Sequence, residues 1–382
     1  MVNIDKDKFY KIENIEYNKV LAISAGATDD AFIYTDLGSD DQRWAFFKLD
    51  DGSYRIVNKS NGKTLAMTND DVFVYPHLVT ADQHWTKYDI AENMKFRNLN
   101  NYKVLAAGPS GEAFVWDDLP SDVLDQQWKI SPVENLVMPN LPTNFKKLGP
   151  SPTYSSPNDQ FQEDTPRVLV GAVLVPYFAV ADNNIDPGTQ VKRNPYYVME
   201  HYQNWHLLSE NSLPAGGEET LTLHTGIRTI DQQTITQKSG ISIASDAGFT
   251  FPIVPAGRAD GPFPTVTGDL KTTITEELDV SISHTTELMK EVTQTQTVRN
   301  PFNQQLQYAK FAVKDTYILR RADNSVVYEV SAVDTTSIKG ASYPEDKQPI
   351  TDAAKIVASR YDVTNPNQTN CQCQVTCNCP SK

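Results

Sequence analysis

The sequence has few cysteines, and none of them lies in the body of the chain. Of 382 residues only four are cysteine, and they occupy the last twelve positions as Cys371, Cys373, Cys377 and Cys379. A disulfide framework within the folded part is therefore excluded. The C-x-C-x3-C-x-C spacing suits a soft metal ion, but the polar surroundings favour an unstructured tail, residues 363–382, that oxidises or cross-links chains.

Basic charge is also scarce. The chain has 34 Lys and Arg against 48 Asp and Glu, a net charge of −14 and a sequence pI of about 4.9. A nucleic-acid binder needs cations to neutralise phosphates, and anionic lipid attracts basic surfaces. We therefore expect no nucleic-acid partner and no simple electrostatic attachment to lipid.

Long apolar runs are missing as well. The longest, Val168 to Val180, spans 13 residues and is interrupted by Gly171 and Pro176, whereas a membrane-spanning helix needs roughly 20. Any membrane activity would have to come from β-strands. The charged start, Met-Val-Asn-Ile-Asp-Lys, is unlike a secretory leader, so we expect no signal peptide.

What the sequence does contain is a threefold internal repeat. Each unit begins with a short alternating strand, continues through Lys-Val-Leu-Ala or Lys-Thr-Leu-Ala, and closes on Asp-Gln-x-Trp, with tryptophans 41 and 43 residues apart. One unit has too little apolar surface for a core, but three can share one. The closing residues are Asp41, Gln42, Trp44; Asp82, Gln83, Trp85; and Asp125, Gln126, Trp128.

Three Gln-x-Trp units in register resemble the ricin-B-type β-trefoil over residues 1–135. The resemblance implies an all-β lectin-like domain whose tryptophans are structural. A sugar site needs an aromatic platform and polar groups for the hydroxyls. The candidate platforms are Tyr34, Tyr75 and Trp116, with Asp41, Asp82 and Asp125 as candidate acceptors; ordinary packing is the alternative role for the aromatics.

Two polar positions of the ricin-type site are apolar in every repeat. The Asp that follows the Leu of the second strand is replaced by Ala22, Ala66 and Ala106. The Gln two residues before the aromatic is replaced by Phe32, Phe73 and Phe114. We therefore predict a receptor-binding domain whose pockets accept either an unusual glycan or a protein surface.

A Pro-rich segment, residues 136–160, predicts a linker to a second β-rich domain at 161–362. Within that domain, Tyr196 to Leu208 and Thr351 to Ser359 are predicted as short helices. Leu270 to Ile282 alternates with period two, which predicts a half-buried strand that extends to about Val292.

Residues 241–274 predict a β-hairpin. Both arms alternate apolar and polar residues around a Pro- and Gly-rich turn, and each exceeds the roughly 9–11 residues with which a strand spans a bilayer. Insertion would require a closed oligomer, because lipid leaves no unpaired strand edge; a soluble hairpin gives the same pattern. The candidate lipid-facing residues are Ile241, Ile243, Phe249, Phe251, Ile253, Val266, Leu270 and Ile274.

The stretch Leu174-Val-Pro-Tyr-Phe-Ala-Val180, followed by Asn184-Ile-Asp186, Pro195-Tyr-Tyr-Val198 and Tyr202-Gln-Asn-Trp205, resembles the BinA/BinB-like (Tpp) insecticidal crystal toxins. Their order of domains is similar too: a ricin-B-like trefoil, then an elongated aerolysin-like pore-forming domain. The resemblance implies a bacterial toxin deposited in parasporal crystal inclusions during sporulation. It also implies a gut-membrane receptor, a homo-oligomeric pore and, for some relatives, a second toxin component.

Enzymatic motifs are not found. None of the six histidines lies in H-E-x-x-H, and the chain has neither G-x-S-x-G nor a phosphate-binding glycine loop. We therefore predict no enzyme and no cofactor. Two alternatives to the toxin stay open: a non-toxic carbohydrate-binding or adhesin protein, and a glycan-targeted hydrolase.

Overall fold

The computed structural model describes most of the trefoil and about half of the second domain. The residues described are 3–24, 29–78, 80–180, 182, 185–226, 243–244, 248–249, 292–334, 336–345 and 355–357. Within these residues no helix is long and apolar enough to span a membrane.

Twelve strands build the N-terminal domain, four in each repeat. The last strand pairs with the first, Trp128 opposite Asn14, and this pairing closes the ring of repeats. The strands are β1 (Lys8–Asn14), β2 (Lys19–Ile23), β3 (Ala31–Tyr34), β4 (Trp44–Lys48), β5 (Tyr54–Asn58), β6 (Thr64–Thr68), β7 (Asp71–Tyr75), β8 (Trp85–Ile90), β9 (Asn93–Asn98), β10 (Val104–Ala107), β11 (Ala113–Trp116) and β12 (Trp128–Asn135).

One apolar core runs through all three repeats. Trp44, Trp85 and Trp128 are completely buried in it, together with equivalent side chains from each unit such as Leu21, Leu65 and Leu105. Because each repeat supplies the same layer of side chains, no repeat has a closed core of its own. The β-trefoil predicted from the Gln-x-Trp spacing is confirmed.

The second domain is built on a four-strand antiparallel sheet in the order β13-β14-β19-β20, with β21 pairing the far end of β19. One short helix, α1 (Pro187–Arg193), begins at Asp186, whose carboxylate accepts from the Thr189 amide. The strands are β13 (Val168–Pro176), β14 (Tyr196–Leu213), β19 (Leu306–Arg320), β20 (Val326–Val333) and β21 (Lys339–Tyr343).

The helix predicted over Tyr196 to Leu208 is wrong, because these residues form most of β14. This strand pairs with β13 on one side and with β19 along its length on the other. Its first six residues are all buried, so the period-two pattern that identifies a half-exposed strand is absent. Aromatic and β-branched residues such as Tyr196, Tyr197 and Val198 are the better indication of a strand here.

A separate three-strand sheet packs beside the main one, in the order β15 (Glu218–Thr225), β18 (Val292–Arg299) and β22 (Lys355–Val357). The helix predicted over Thr351 to Ser359 is wrong for Lys355–Val357, which pair with β18; the rest of it lies outside the described residues. Of the long predicted strand, only its last residue, Val292, is described, and it begins β18.

The predicted linker is irregular but docked. Between Asn135 and Val168 the described chain forms no strand or helix. It nevertheless covers the edges of the main sheet: the Lys146 amide donates to the Leu169 carbonyl (2.9 Å) and the Leu207 amide to the Glu163 carbonyl (2.7 Å). Paired in this way, the β13–β14 edge offers fewer free backbone groups to another chain.

Candidate functional site

Each Gln-x-Trp unit couples the core to the surface loop of its repeat. The indole N–H groups of Trp44, Trp85 and Trp128 donate to the carbonyls of Leu21, Leu65 and Leu105, each at 2.9 Å. These three bonds fix the second strand of every repeat against the core tryptophan. The structure thus gives the three tryptophans equivalent anchoring contacts.

The glutamine of each unit holds the loop that follows the exposed aromatic. Gln42 accepts from the Leu37 amide and donates to the Thr35 carbonyl, both at 2.7 Å. Gln83 and Gln126 make the same pair of bonds in their repeats, to Leu78 with Pro76 and to Leu119 with Asp117. The glutamines therefore position the end of the strand that carries the candidate platform.

The three candidate platforms lie on the surface and not in the core. Tyr34, Tyr75 and Trp116 end strands β3, β7 and β11, and their side chains are 51%, 40% and 48% exposed. Each ring is supported edge-on by the phenylalanine two residues earlier, with centroids 6.2, 6.3 and 6.5 Å apart. Exposed rings with fixed support are suited to binding a ligand or a protein surface.

The candidate aspartates accept hydrogen bonds through their backbone carbonyls. The carbonyls of Asp41, Asp82 and Asp125 accept the side-chain amides of Asn58, Asn98 and Asn14 at 2.7–2.8 Å. Oδ1 of Asp125 is buried without a partner among the described residues. Burial, with a smaller contribution from the nearby Glu16 carboxylate, raises the pKa of the Asp125 carboxyl.

Sequence reasoning missed two other acids beside the platforms. Asp36 and Asp118 each lie two residues after the aromatic. Asp36 binds Arg43 at 2.9 Å, and Asp118 binds Lys95 and Arg97 at 2.8 and 2.7 Å. Their equivalent position in the repeat and the facing cation could have identified them. The Arg43 and Lys95 contacts hold the pKa of each carboxyl low against the opposing effect of burial.

Lysine covers one of the aromatic platforms. Nζ of Lys103 lies 5.4 Å from the ring centroid of Trp116 and 2.5 Å from Asp70. A ligand that stacks on this face of Trp116 must therefore displace or include a cation. Ala22, Ala66 and Ala106, at the position of the ricin-type aspartate, are fully buried, so the usual hydroxyl contact is absent.

The strands β15 and β18 form a ribbon with one exposed face rich in threonine. Thr220 pairs with Thr297, and Thr222 with Thr295. Thr225 and Val292, at the end of this ribbon, are the residues on either side of a long intervening segment. The ribbon therefore brackets the part of the chain that contains the predicted hairpin.

Most of the predicted hairpin lies outside the described residues. Ile243–Ala244 (β16) and Gly248–Phe249 (β17) are described, and they pair antiparallel with each other. Both short strands lie within the predicted first arm. Outside the described residues are Ile241, Phe251, Ile253, Val266, Leu270 and Ile274, as well as Cys371, Cys373, Cys377 and Cys379.

Comparison with known proteins assigns both domains. A family model described as Insecticidal Crystal Toxin, P42 matches residues 168–344, and one described as Ricin-type beta-trefoil lectin domain-like matches residues 3–72. The chain is 28% identical over 360 residues to the insecticidal crystal protein Cry35Ab1 of Bacillus thuringiensis, which covers 90% of this chain and 91% of the relative. The crystal structure of Cry35Ab1 matches with a TM-score of 0.75 at 27% identity, over 90% of this chain and 91% of that one.

The chain is homologous to the insecticidal crystal toxins. It is also 25% identical over 364 residues to the binary larvicide subunit BinA of Lysinibacillus sphaericus, covering 90% of this chain and 92% of the relative. BinB of the same organism matches at 27% over 208 residues, which is 54% of this chain and 44% of BinB. The Tpp resemblance and the two-domain, all-β fold class are confirmed.

The residues that carry this toxin resemblance dock the second domain onto the trefoil. Tyr177, Phe178 and Tyr196 surround Phe47 of β4 with centroids 5.3–5.7 Å away. The Tyr177 hydroxyl also donates to the Gly62 carbonyl at 2.6 Å. The motif therefore belongs to an apolar core shared by both domains.

Proposed function

We propose that this toxin homologue binds an insect gut-cell receptor through its trefoil, assembles into an oligomer and inserts the hairpin at 241–274 into the membrane. The observation that carries the proposal is the similarity to Cry35Ab1 across 90% of the chain, in both sequence and fold. It supports a bacterial crystal toxin stored as parasporal inclusions and no enzymatic activity.

The β15–β18 ribbon supports the membrane step. One face is exposed and Thr-rich, while the other contributes three side chains to a small cluster of six buried ones, the remaining three coming from β14 and β19. The ribbon is also bound by Glu219, which accepts from the Tyr308 hydroxyl at 2.5 Å and from the Asn211 side chain at 2.9 Å. A ribbon joined to the main sheet by one small cluster, the Glu219 contacts and the Gly226–Val333 bridge can leave that sheet and pair with ribbons of other copies.

Vesicle leakage tests this step. In a background with the four tail cysteines changed to serine, Asn211→Cys and Glu219→Cys would be joined by a short bis-maleimide. We expect the cross-linked protein to bind gut-membrane vesicles but to release no dye. The same double variant treated with a monofunctional maleimide is the matched control, and it should cause leakage. Equal leakage from both proteins would show that the β15–β18 ribbon does not have to separate for the membrane step.

The third repeat is the best supported receptor-binding face. Tyr102 is exposed and has a φ of 61°, whereas the equivalent left-handed positions are Asn18 and Gly62. Tyrosine is disfavoured in this region of φ, so a strained exposed ring next in sequence to Lys103, which covers Trp116, supports a recognition role. Glycan-array binding lost in Trp116→Ala would identify a sugar ligand; an empty array with retained vesicle binding would favour a protein receptor.

A second toxin component is the proposed partner. BinA and BinB are both named as subunits of a binary larvicide, and the chain is similar to both. Insect bioassay of the protein alone and with candidate second components tests the requirement. Full toxicity of the protein alone would refute it.

A further inference from the structure

A histidine lies in the contact between the trefoil and the second domain. His77, in the loop after β7, is buried, and its ring stacks on Phe178 with centroids 4.6 Å apart and planes inclined by 27°. Neither ring nitrogen has a hydrogen-bond partner among the residues that the structure describes. A buried polar ring without partners loses its hydration, so the contact with Phe178 has to offset that loss.

The groups that face His77 are basic. The Arg55 guanidinium lies 5.5 Å from the Phe178 ring centroid and 3.0 Å from Nε2 of His84. Arginine only donates, so Nε2 of His84 is the acceptor. Nδ1 of His84 lies 3.6 Å from the Asp51 carboxylate. Burial, then Arg55 and His84, lower the pKa of His77 well below its ordinary value.

The other two repeats pair a cation with an acid at these positions. Where repeat 2 has Arg55 and His77, repeat 1 has Lys11 and Asp36, 3.4 Å apart, and repeat 3 has Lys95 and Asp118, 2.8 Å apart. The repeat that contacts Phe178 through this loop therefore has a titratable base in place of the carboxylate. A proton on that base adds a positive charge next to an arginine.

We propose that His77 makes the docking of the second domain onto the trefoil sensitive to acid: the two domains stay docked at neutral and alkaline pH and separate in acid. Separation exposes His77 to water, where its pKa returns to about 6.5. The docked form binds fewer protons, so docking is complete above that pH and weakens as pH falls. One group of this kind lowers the equilibrium constant for docking about tenfold for each pH unit below 6.5.

Hydrogen–deuterium exchange of the full chain between pH 8 and pH 5 tests the proposal, with rates corrected for intrinsic exchange. In the native protein we expect protection in peptides containing Phe47 and Tyr177 to fall about tenfold per pH unit below 6.5. Core peptides around Trp128 should keep their protection, which separates undocking from unfolding. His77→Phe keeps the stacked ring but cannot take a proton, so its interface protection should stay constant.

His224→Gln is the matched control, because His224 is exposed on β15 away from this contact; it should behave like the native protein. Constant interface protection in the native protein, or the same loss in His77→Phe, would overturn the proposal. If His77→Phe fails to dock at pH 8, NMR of the native protein labelled with ¹³C-histidine decides. A His77 ring that titrates below pH 6.5, together with a loss of interface protection, supports the proposal; titration at 6.5 or above, or separation of the domains with the ring still neutral, refutes it.

Discussion

The trefoil and the β15–β18 ribbon secure their strands in opposite ways. In the trefoil, three buried tryptophans share one core and each indole bonds a neighbouring strand. In the ribbon, one face is open, and the other adds three side chains to a cluster of six buried ones and is held by the Glu219 contacts. The arrangement in the trefoil suits a rigid recognition domain. The arrangement in the ribbon suits an element that separates from the main sheet.

The contact between the domains lies between these extremes. It is largely apolar, with Phe47 surrounded by three aromatic rings, but it includes the imidazole of His77, which has no hydrogen-bond partner in the described part of the chain. It also requires close approach of two backbones at Gly62. The strength of each of these regions can therefore be changed separately by substitution.

Trp85→Ala should destabilise the trefoil most. The indole is fully buried and donates to Leu65, so its removal leaves a large cavity and an unpaired carbonyl. We expect a loss of about 3–5 kcal/mol in the free energy of trefoil unfolding, measured by urea denaturation with near-UV circular dichroism. Trp116→Ala, on the surface, is the control and should change it by less than about 0.5 kcal/mol; equal losses would contradict the shared core.

Gly62→Ala should weaken the docking of the domains. Gly62 has a φ of 68°, and an added Cβ would lie 2.3 Å from the Pro187 carbonyl oxygen. Backbone strain and overlap together should cost more than about 2 kcal/mol. Hydrogen exchange of interface peptides is the measurement.

Gly52→Ala is its matched control. Gly52 also has a positive φ, 82°, but an added Cβ meets nothing within 4 Å. It should cost only the strain, about 1 kcal/mol, and leave the interface peptides protected. Equal loss of interface protection in both variants would show that close packing at Gly62 is unimportant.

Glu219→Gln should lower the free energy of separating the ribbon from the main sheet by about 1–2 kcal/mol, because the charged acceptor of Tyr308 and Asn211 is lost. Exchange of β15 amides and vesicle leakage should both become faster. The neighbouring Glu218→Gln is the control: Glu218 pairs with Arg299 in an exposed ion pair, so about 0.5 kcal/mol or less is expected. Equal acceleration in both would exclude a specific role for Glu219.

Sequence and structure agree best where a pattern repeats. The Gln-x-Trp spacing predicted the trefoil, because three copies reveal which positions face the core; for Tyr34, Tyr75 and Trp116 the sequence left packing and surface roles open, and the structure exposes them. It could not reveal that the second repeat is a docking surface, since Gly62 and His77 gain their roles from Phe178 and Pro187, more than 100 residues away.

The second domain was harder to predict because burial removed the pattern. β14 is buried on both faces at its start, so its apolar run gave no period of two and was taken for a helix. The Glu219 contacts were missed for a similar reason: Tyr308 and Asn211 lie on other strands, and only the register of the sheets brings them together.

Tyr102→Asn should have the smallest effect on stability and the opposite sign. Asparagine tolerates the left-handed φ of 61° better than tyrosine, so we expect the trefoil to gain about 0.5–1 kcal/mol. If the exposed ring is retained for recognition, binding to gut-membrane vesicles should weaken although the fold is more stable. Asn18→Ala, at the equivalent position of repeat 1, should lose stability and keep binding. A more stable Tyr102→Asn variant with unchanged vesicle binding would place the receptor contact in another repeat.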